Sequence, residues 1–343
     1  MTNRMHADAF RGCLLGGAIG DALGAAVEFD PLPMIRDRFG RAGLTDYAPA
    51  YGRSGAITDD TQMTLFTAEG LLRAASAGGD VVRHTHRAYL RWLSTQGGRV
   101  AFGESERGWL ATIPELSWRR APGRTCLSAL QSGRRGTRAE RLNDSKGCGG
   151  VMRMAPVGLA AQTDPFAVGA DLAALTHGHP SGFLGAGFLA QLVADLLAGV
   201  PLRDAADRGI ERLRREPEHE ETVAAVEAAL EAADVGDPSP GVVQSLGGGW
   251  VGEEALAIGL YCALVARDFE HGVLLAVNHG GDSDSTGAVA GNLLGTVHGE
   301  QGIPARWIER LELREVITAV ADDLWAVFGP ERRSPDRTRY PPN

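Results

Sequence analysis

Apolar residues recur at helical spacing along most of this chain, and we find no run of alternating positions long enough to predict a sheet. The first helical stretch covers residues 10–29, FRGCLLGGAIGDALGAAVEF. Gly12, Gly16, Gly20 and Gly24 fall every four residues and would share one face, which predicts close packing against another helix. Each costs about 1 kcal/mol against alanine in a helix interior, so the contact has to compensate. Residues 30–57 read as loop, with Pro31, Pro33 and Pro49. A helix then follows Thr58, with Leu65, Ala68, Leu72 and Ala75 in phase, and another spans Val81–Leu93. Residues 97–147 are rich in glycine and arginine, from Arg99 and Arg107 to Arg141, and read mainly as solvated surface with one or two arginines able to face a phosphate. Apolar helical patterns return at 180–198 and 250–265, and a charged pair of covering helices fills 201–233. A last amphipathic stretch covers Leu311–Phe328. From Pro330 the proline- and arginine-rich tail, 330–343, reads as disordered. No linker divides residues 1–329, so the pattern predicts one compact, mostly helical domain.

Composition narrows the options. With 343 residues, 44% hydrophobic, the chain can bury a large core. Its net charge of −9 argues against general nucleic-acid binding through a basic surface. The four cysteines have no metal-ligand spacing and read as reduced thiols of a cytoplasmic protein. The start has no apolar leader, and the most apolar stretches contain Asp21, or Gln191 and Asp195, which reads as too short and too polar for a membrane span.

Candidate chemistry sits where oxygen-rich residues interrupt the apolar pattern. HGGDSDSTGAVAGNLLG (279–295) opens a helix with Asp282, Ser283, Asp284, Ser285 and Thr286. Such a cluster is either solvated or holds a cation. Far upstream, Thr58, Asp59 and Asp60 open a second helix. Plain capping needs one such residue. Two clusters of this kind favour a shared site for hard ions such as Mg²⁺ or Mn²⁺. Asp21 and Glu28 each place a carboxylate in an apolar segment and need a partner or a role. The small-residue loop Ser145–Gly150 precedes an apolar segment and could offer amides to a phosphate. His177 and His179, in LTHGHP, suit a structural turn better than a zinc site.

Six segments together resemble the ADP-ribosylglycohydrolases: GCLLGGAIGDALG, GAITDDTQMT, GCGGVMRMAPVGL, THGHP, WVGEEALAIGLYCAL and NHGGDSDSTGAVAGNLLG. They occur in family order between Phe10 and Gly299. The resemblance implies an all-α, compact orthogonal helical bundle with two Mg²⁺ or Mn²⁺ ions. It implies hydrolysis of the C1″ bond between ADP-ribose and an acceptor, either a protein side chain such as arginine or serine or a small conjugate. By motif position Thr58, Asp59, Asp60, Asp282, Asp284 and Ser285 are the expected metal ligands. Ser145, Lys146 and Gly147 match the diphosphate loop, Gly149 and Gly150 keep its turn tight, and His177 matches a histidine near the ligand. Glu28 matches the glutamate that acts in the serine-linked branch, and Glu28 or Asp60 is the expected base. There are departures: RRAPGRTC lacks the loop aspartate of the dinitrogenase reductase branch, and Cys148 stands where relatives often have Asn. Rival expectations are a hydrolase of another nucleotide conjugate on the same scaffold, or a non-enzymatic, crystallin-like relative.

Overall fold

The computed structural model describes residues 2–100, 108–160 and 163–342, with the side chains of residues 2–6 left aside; Arg107 lies outside the described residues. Among these the fold is all-α. The helices are α1 (Thr2–Gly24), α2 (Leu32–Phe39), α3 (Asp59–Ala77), α4 (Val81–Thr95), α5 (Arg124–Gln131), α6 (Ala155–Leu159), α7 (Pro165–Ala174) and α8 (Pro180–Leu197). They continue as α9 (Leu202–Leu213), α10 (Glu220–Asp234), α11 (Pro240–Ser245), α12 (Gly252–Leu264), α13 (Phe269–Val277), α14 (Ser283–His298), α15 (Ala305–Arg310) and α16 (Arg314–Phe328). The sole sheet among the described residues is a hairpin of two-residue strands, Pro49–Ala50 and Arg53–Ser54.

The glycine stripe of α1 meets a matching stripe on α14, and this seam is the most extensive helix pairing in the fold. A Cβ built on Gly20 would lie 1.9 Å from the Gly287 carbonyl oxygen, and one on Gly291 would lie 2.1 Å from that of Gly16. Gly12 meets Gly295, and Gly24 meets the Ser283 backbone, in the same way. Backbone touches backbone, so any side chain at these positions is excluded. The Asn292 amide crosses the seam and donates to the Cys13 carbonyl oxygen at 2.8 Å. Helices α12, α13 and α8 pack around α14, and α3 and α16 pack beside α1.

Three expectations are corrected. Residues 32–39 form α2 within the expected loop. Proline is tolerated in a first helical turn, where its missing N–H costs nothing, and Leu32 and Ile35 are buried. Helix α8 is long and apolar enough to cross a membrane by length and composition, but 72% of that stretch is buried within the protein, as for a core helix. The tail is ordered through residue 342 and anchored by Tyr340, which is fully buried. Its hydroxyl donates to Asp323 on α16 at 2.8 Å, Arg339 pairs with the same carboxylate at 2.9 Å, and Trp109 meets the Tyr340 ring edge-on. One buried aromatic outweighs the polar composition around it.

Candidate active site

The seam brings the C-terminal end of α1 to the start of α14, and the start of α3 packs beside both. Thr58 caps α3, its Oγ1 accepting from the Asp60 amide at 3.2 Å. The Thr58 and Thr61 amides both donate to the buried Asp21 carboxylate at 3.0 and 3.1 Å. Asp21 therefore ties α1 to α3 from beneath the site. Burial first, then the charge of Asp284, pushes its carboxyl up to about 7.

Above this tie lies a cavity of about 550 Å³, within the range of small-molecule sites. Glu28, Asp59, Asp60, Asp282, Asp284 and Ser285 all line it. Asp59 Oδ2 accepts from the Gly123 amide at 3.1 Å. Ser285 Oγ donates to Asp60 at 2.8 Å across 225 residues of sequence. Asp282 Oδ2 accepts from the Cys148 thiol at 2.8 Å, and Asp284 accepts from the Ser285 amide at 2.9 Å. Glu28 is 8% exposed, and its Oε2 is buried with no hydrogen-bond partner. Glu28, Asp282 and Asp284 each offer one oxygen within 4.8 Å of the other two.

Burial is the main reason Glu28, Asp59, Asp60 and Asp282 resist ionisation, and mutual repulsion adds to it. Glu28 is pushed up to about 10, with the charges of Asp284 and Asp282 next in weight. Asp59, Asp60 and Asp282 are raised well above the usual carboxylate range, again by burial first. A positive charge nearby would favour the ionised forms of Glu28, Asp59, Asp60 and Asp282. Oxygen donors, an orphaned Glu28 oxygen and carboxylates within a few ångströms of one another fit a hard divalent cation.

The remaining expected residues divide. Gly147, Gly149 and His177 line the cavity, whereas Thr58, Ser145, Lys146 and Gly150 are not part of its lining. Segment 146–148 is bridged to 250–252: the Cys148 amide donates to the Trp250 carbonyl at 3.1 Å and the Gly252 amide to that of Lys146 at 2.7 Å. The Lys146 ammonium pairs with Glu221 at 2.5 Å and with Glu253, so its side chain is engaged by α10 and α12. Ser145 Oγ pairs with Thr125 at 3.0 Å. A Cβ on Gly150 would come 2.6 Å from the Gly182 carbonyl oxygen, and one on Gly149 would come 3.2 Å from the His177 ring. His177 is buried, with Nδ1 2.9 Å from Thr176 Oγ1; burial and the nearby Arg153 hold it down to about 3, so the imidazole is neutral near pH 7. His179 caps α8 through Nδ1 at 3.2 Å from the Ser181 amide, a structural role. Ser283 and Thr286 likewise bond to local backbone.

Other lining residues were not among the expected site residues. Phe29 and Trp250 are exposed, stack with centroids 5.9 Å apart, and both line the cavity. Residues 121–125, where the chain enters α5, and the sulfur residues Cys126, Cys148 and Met152 complete the wall.

An all-helical fold with a buried, carboxylate-floored cleft defines the class, and comparison with known proteins narrows it. The family model described as ADP-ribosylglycohydrolase matches residues 2–334, and the chain belongs to that family. It is 30% identical to an uncharacterized protein of Archaeoglobus fulgidus over 93% of this chain and 96% of that one. It is 27% identical to the ADP-ribosyl-[dinitrogen reductase] glycohydrolase of Rhodospirillum rubrum, over 96% and 99% of the two chains. A solved structure titled ADP-ribosylglycohydrolase-related protein complex superposes with a TM-score of 0.67 at 28% identity, covering 94% of this chain and 98% of its own.

Proposed function

We propose that this protein hydrolyses the C1″ bond joining ADP-ribose to an acceptor, either a protein side chain such as arginine or serine or a small ADP-ribose conjugate. The carrying observation is the buried trio Glu28, Asp282 and Asp284, with oxygens within 4.8 Å of one another on the wall of a 550 Å³ cavity. Family membership and the name of the Rhodospirillum relative support the same reading.

In this reading Thr58, Asp59, Asp60, Asp282, Asp284 and Ser285 would hold two divalent ions, Mg²⁺ or Mn²⁺. Thr58 Oγ1 accepts from the Asp60 amide and keeps a second lone pair for an ion. When bound, such ions neutralise the acids and grip vicinal ribose hydroxyls. Cleavage at an anomeric carbon passes through a state with positive charge on the sugar, which flanking carboxylates stabilise. Glu28 takes a proton from the attacking water; it lines the cavity, and its Oε2 has no hydrogen-bond partner. Asp60 is the second candidate for this step. Gly147 and Gly149 let the backbone approach the diphosphate, and neutral His177 offers a hydrogen bond without adding charge. Lys146 acts as an anchor for the loop through Glu221 and Glu253.

The test is a substrate panel of ADP-ribosyl-arginine, ADP-ribosyl-serine and ADP-ribose-1″-phosphate, with Mg²⁺ or Mn²⁺ present. Release of ADP-ribose from one of them identifies the acceptor class. Release from none overturns the proposal.

A further inference from the structure

The fold commits most arginines of the stretch 97–147 elsewhere. Arg120 is buried against Glu312, Arg138 pairs with Asp171 and Glu216, Arg141 with Glu218, and Arg135 reaches Asp80. Arg99, Arg119 and Arg134 are exposed and outside the cavity lining. Arg124 differs. It lines the cavity, is exposed, and forms no ion pair among the described residues. Of the described residues in that lining it is the sole lysine or arginine, facing a wall that holds Glu28 and four aspartates. Its place is set by α5, which it opens. The Gly123 amide before it donates to Asp59 Oδ2 at 3.1 Å. The Thr125 hydroxyl after it pairs with Ser145 Oγ at 3.0 Å, and a Cβ on Gly149 would come 3.0 Å from Cys126 Sγ. The first turn of α5 therefore reaches from the acid cluster to the small-residue loop Ser145–Gly150. No side chain caps that turn, so the positive end of the helix is left uncovered beside the guanidinium.

We propose that Arg124 is the residue whose positive charge binds the diphosphate of the ligand in this cavity. The inference rests on the ADP-ribose reading above, and its test separates the two. It moves to Arg124 a role that the loop match alone would give to Lys146, whose ammonium is taken by Glu221 and Glu253. A diphosphate carries two negative charges and enters a cavity walled by carboxylates. Ions held by those carboxylates compensate at the ribose end; the guanidinium does so at the loop end, where Gly147 and Gly149 leave room for the phosphates. A planar guanidinium also meets two phosphate oxygens at once, which an ammonium does not. The consequence is selectivity: a ribose conjugate without the diphosphate gains nothing from Arg124 and is held less tightly.

The full chain is titrated with ADP-ribose by calorimetry, with Mg²⁺ present, as wild type, Arg124→Ala, Lys146→Met and the exposed neighbour Arg119→Ala. The expected result is a loss of affinity of about tenfold to a hundredfold in Arg124→Ala, a smaller loss in Lys146→Met, and wild-type binding in Arg119→Ala. The two ³¹P resonances of the diphosphate should shift on binding to the wild type, and the shift should shrink in saturated Arg124→Ala, a change that a merely structural role would not produce. For the conjugate that the substrate panel identifies, KM should rise by a similar factor while kcat falls much less, because the contact is remote from the broken bond. Arg124→Gln, which nearly keeps the length of the side chain without its charge, carries the same test if the alanine variant does not fold. Equal affinity for ADP-ribose in the wild type and these Arg124 variants overturns the inference while the hydrolase reading stands. A larger loss in Lys146→Met than in Arg124→Ala also overturns it. If the wild type neither binds ADP-ribose nor turns over any conjugate of the panel, both readings fail.

Discussion

Gly20→Ala tests whether the backbone seam sets the geometry of the site. The added methyl would lie 1.9 Å from the Gly287 carbonyl oxygen. A comfortable carbon–oxygen approach is about 3.3 Å, so the helices must part locally by about 1.4 Å. Backbone cannot rotate away as a side-chain tip can, so we expect the upper end of overpacking costs, about 3 kcal/mol or more. Unfolding entropy of about 2.1 cal/mol/K per residue gives a chain this long about 1.4 °C of melting temperature per kcal/mol. A drop of about 4 °C or more follows by differential scanning calorimetry. The parting also carries Asp284 and Ser285 on α14 away from Asp60 on α3, now linked by the 2.8 Å Ser285–Asp60 bond. Misplacement by about an ångström costs on the order of 10²-fold in turnover. Gly241→Ala is the control: it sits in α11, and a Cβ there meets only Ser239 Oγ at 3.7 Å. It should be neutral or slightly stabilising. A Gly20→Ala protein that melts with the wild type and keeps its activity would refute the reasoning.

Other expectations are shorter. Glu28→Gln should keep divalent-ion binding by calorimetry while turnover falls by about 10²-fold or more; full activity would remove Glu28 as the base. Tyr340→Ala should cost about 3 kcal/mol in urea unfolding through loss of a fully buried ring, and an unchanged midpoint would show that the tail anchors nothing. His279 is held down to about 4 by burial, below an unfolded value of about 6.5. Between those limits the unfolded state binds more protons, so this residue's contribution is complete above about pH 6.5 and is lost as pH falls toward 4, by up to about 3 kcal/mol. The buried acids, raised rather than lowered, work in the opposite direction and cancel when wild type and His279→Gln are compared. The stability gap between those two proteins should narrow on acidification, and a pH-independent gap would refute the assignment.

The seam was legible because glycine every fourth residue has one geometric meaning on a helix, and Gly12 to Gly24 carry little else. The two oxygen clusters were legible because Asp59, Asp60, Asp282 and Asp284 interrupt apolar runs in which charge is costly. What the sequence hid is tertiary. Lys146 lies in the loop matched to diphosphate binding, and its pairing with Glu221 and Glu253, distant in the chain, could not be read from that loop. Asp21 looks as functional as Glu28, yet amides of Thr58 and Thr61 turn it into a tie between helices. Cys148 gained its meaning from Asp282, and the polar tail from one tyrosine. Helix α2 was missed because prolines in a first turn read as loop.

The seam also dictates an order of events during synthesis. Its two stripes lie at opposite ends of the chain, joined for example by the Asn292–Cys13 bond across 279 residues. Helix α1 emerges first and must wait, its glycine face uncovered, until α14 has been made. Closing so long a loop is slow and leaves apolar surface exposed meanwhile. No shortened chain ending before Ser283 can assemble the acid cluster, since Asp284 and Ser285 would be missing. The site is thus completed only once α14 has been made, and an ion that needs Asp284 and Ser285 is taken up after that point.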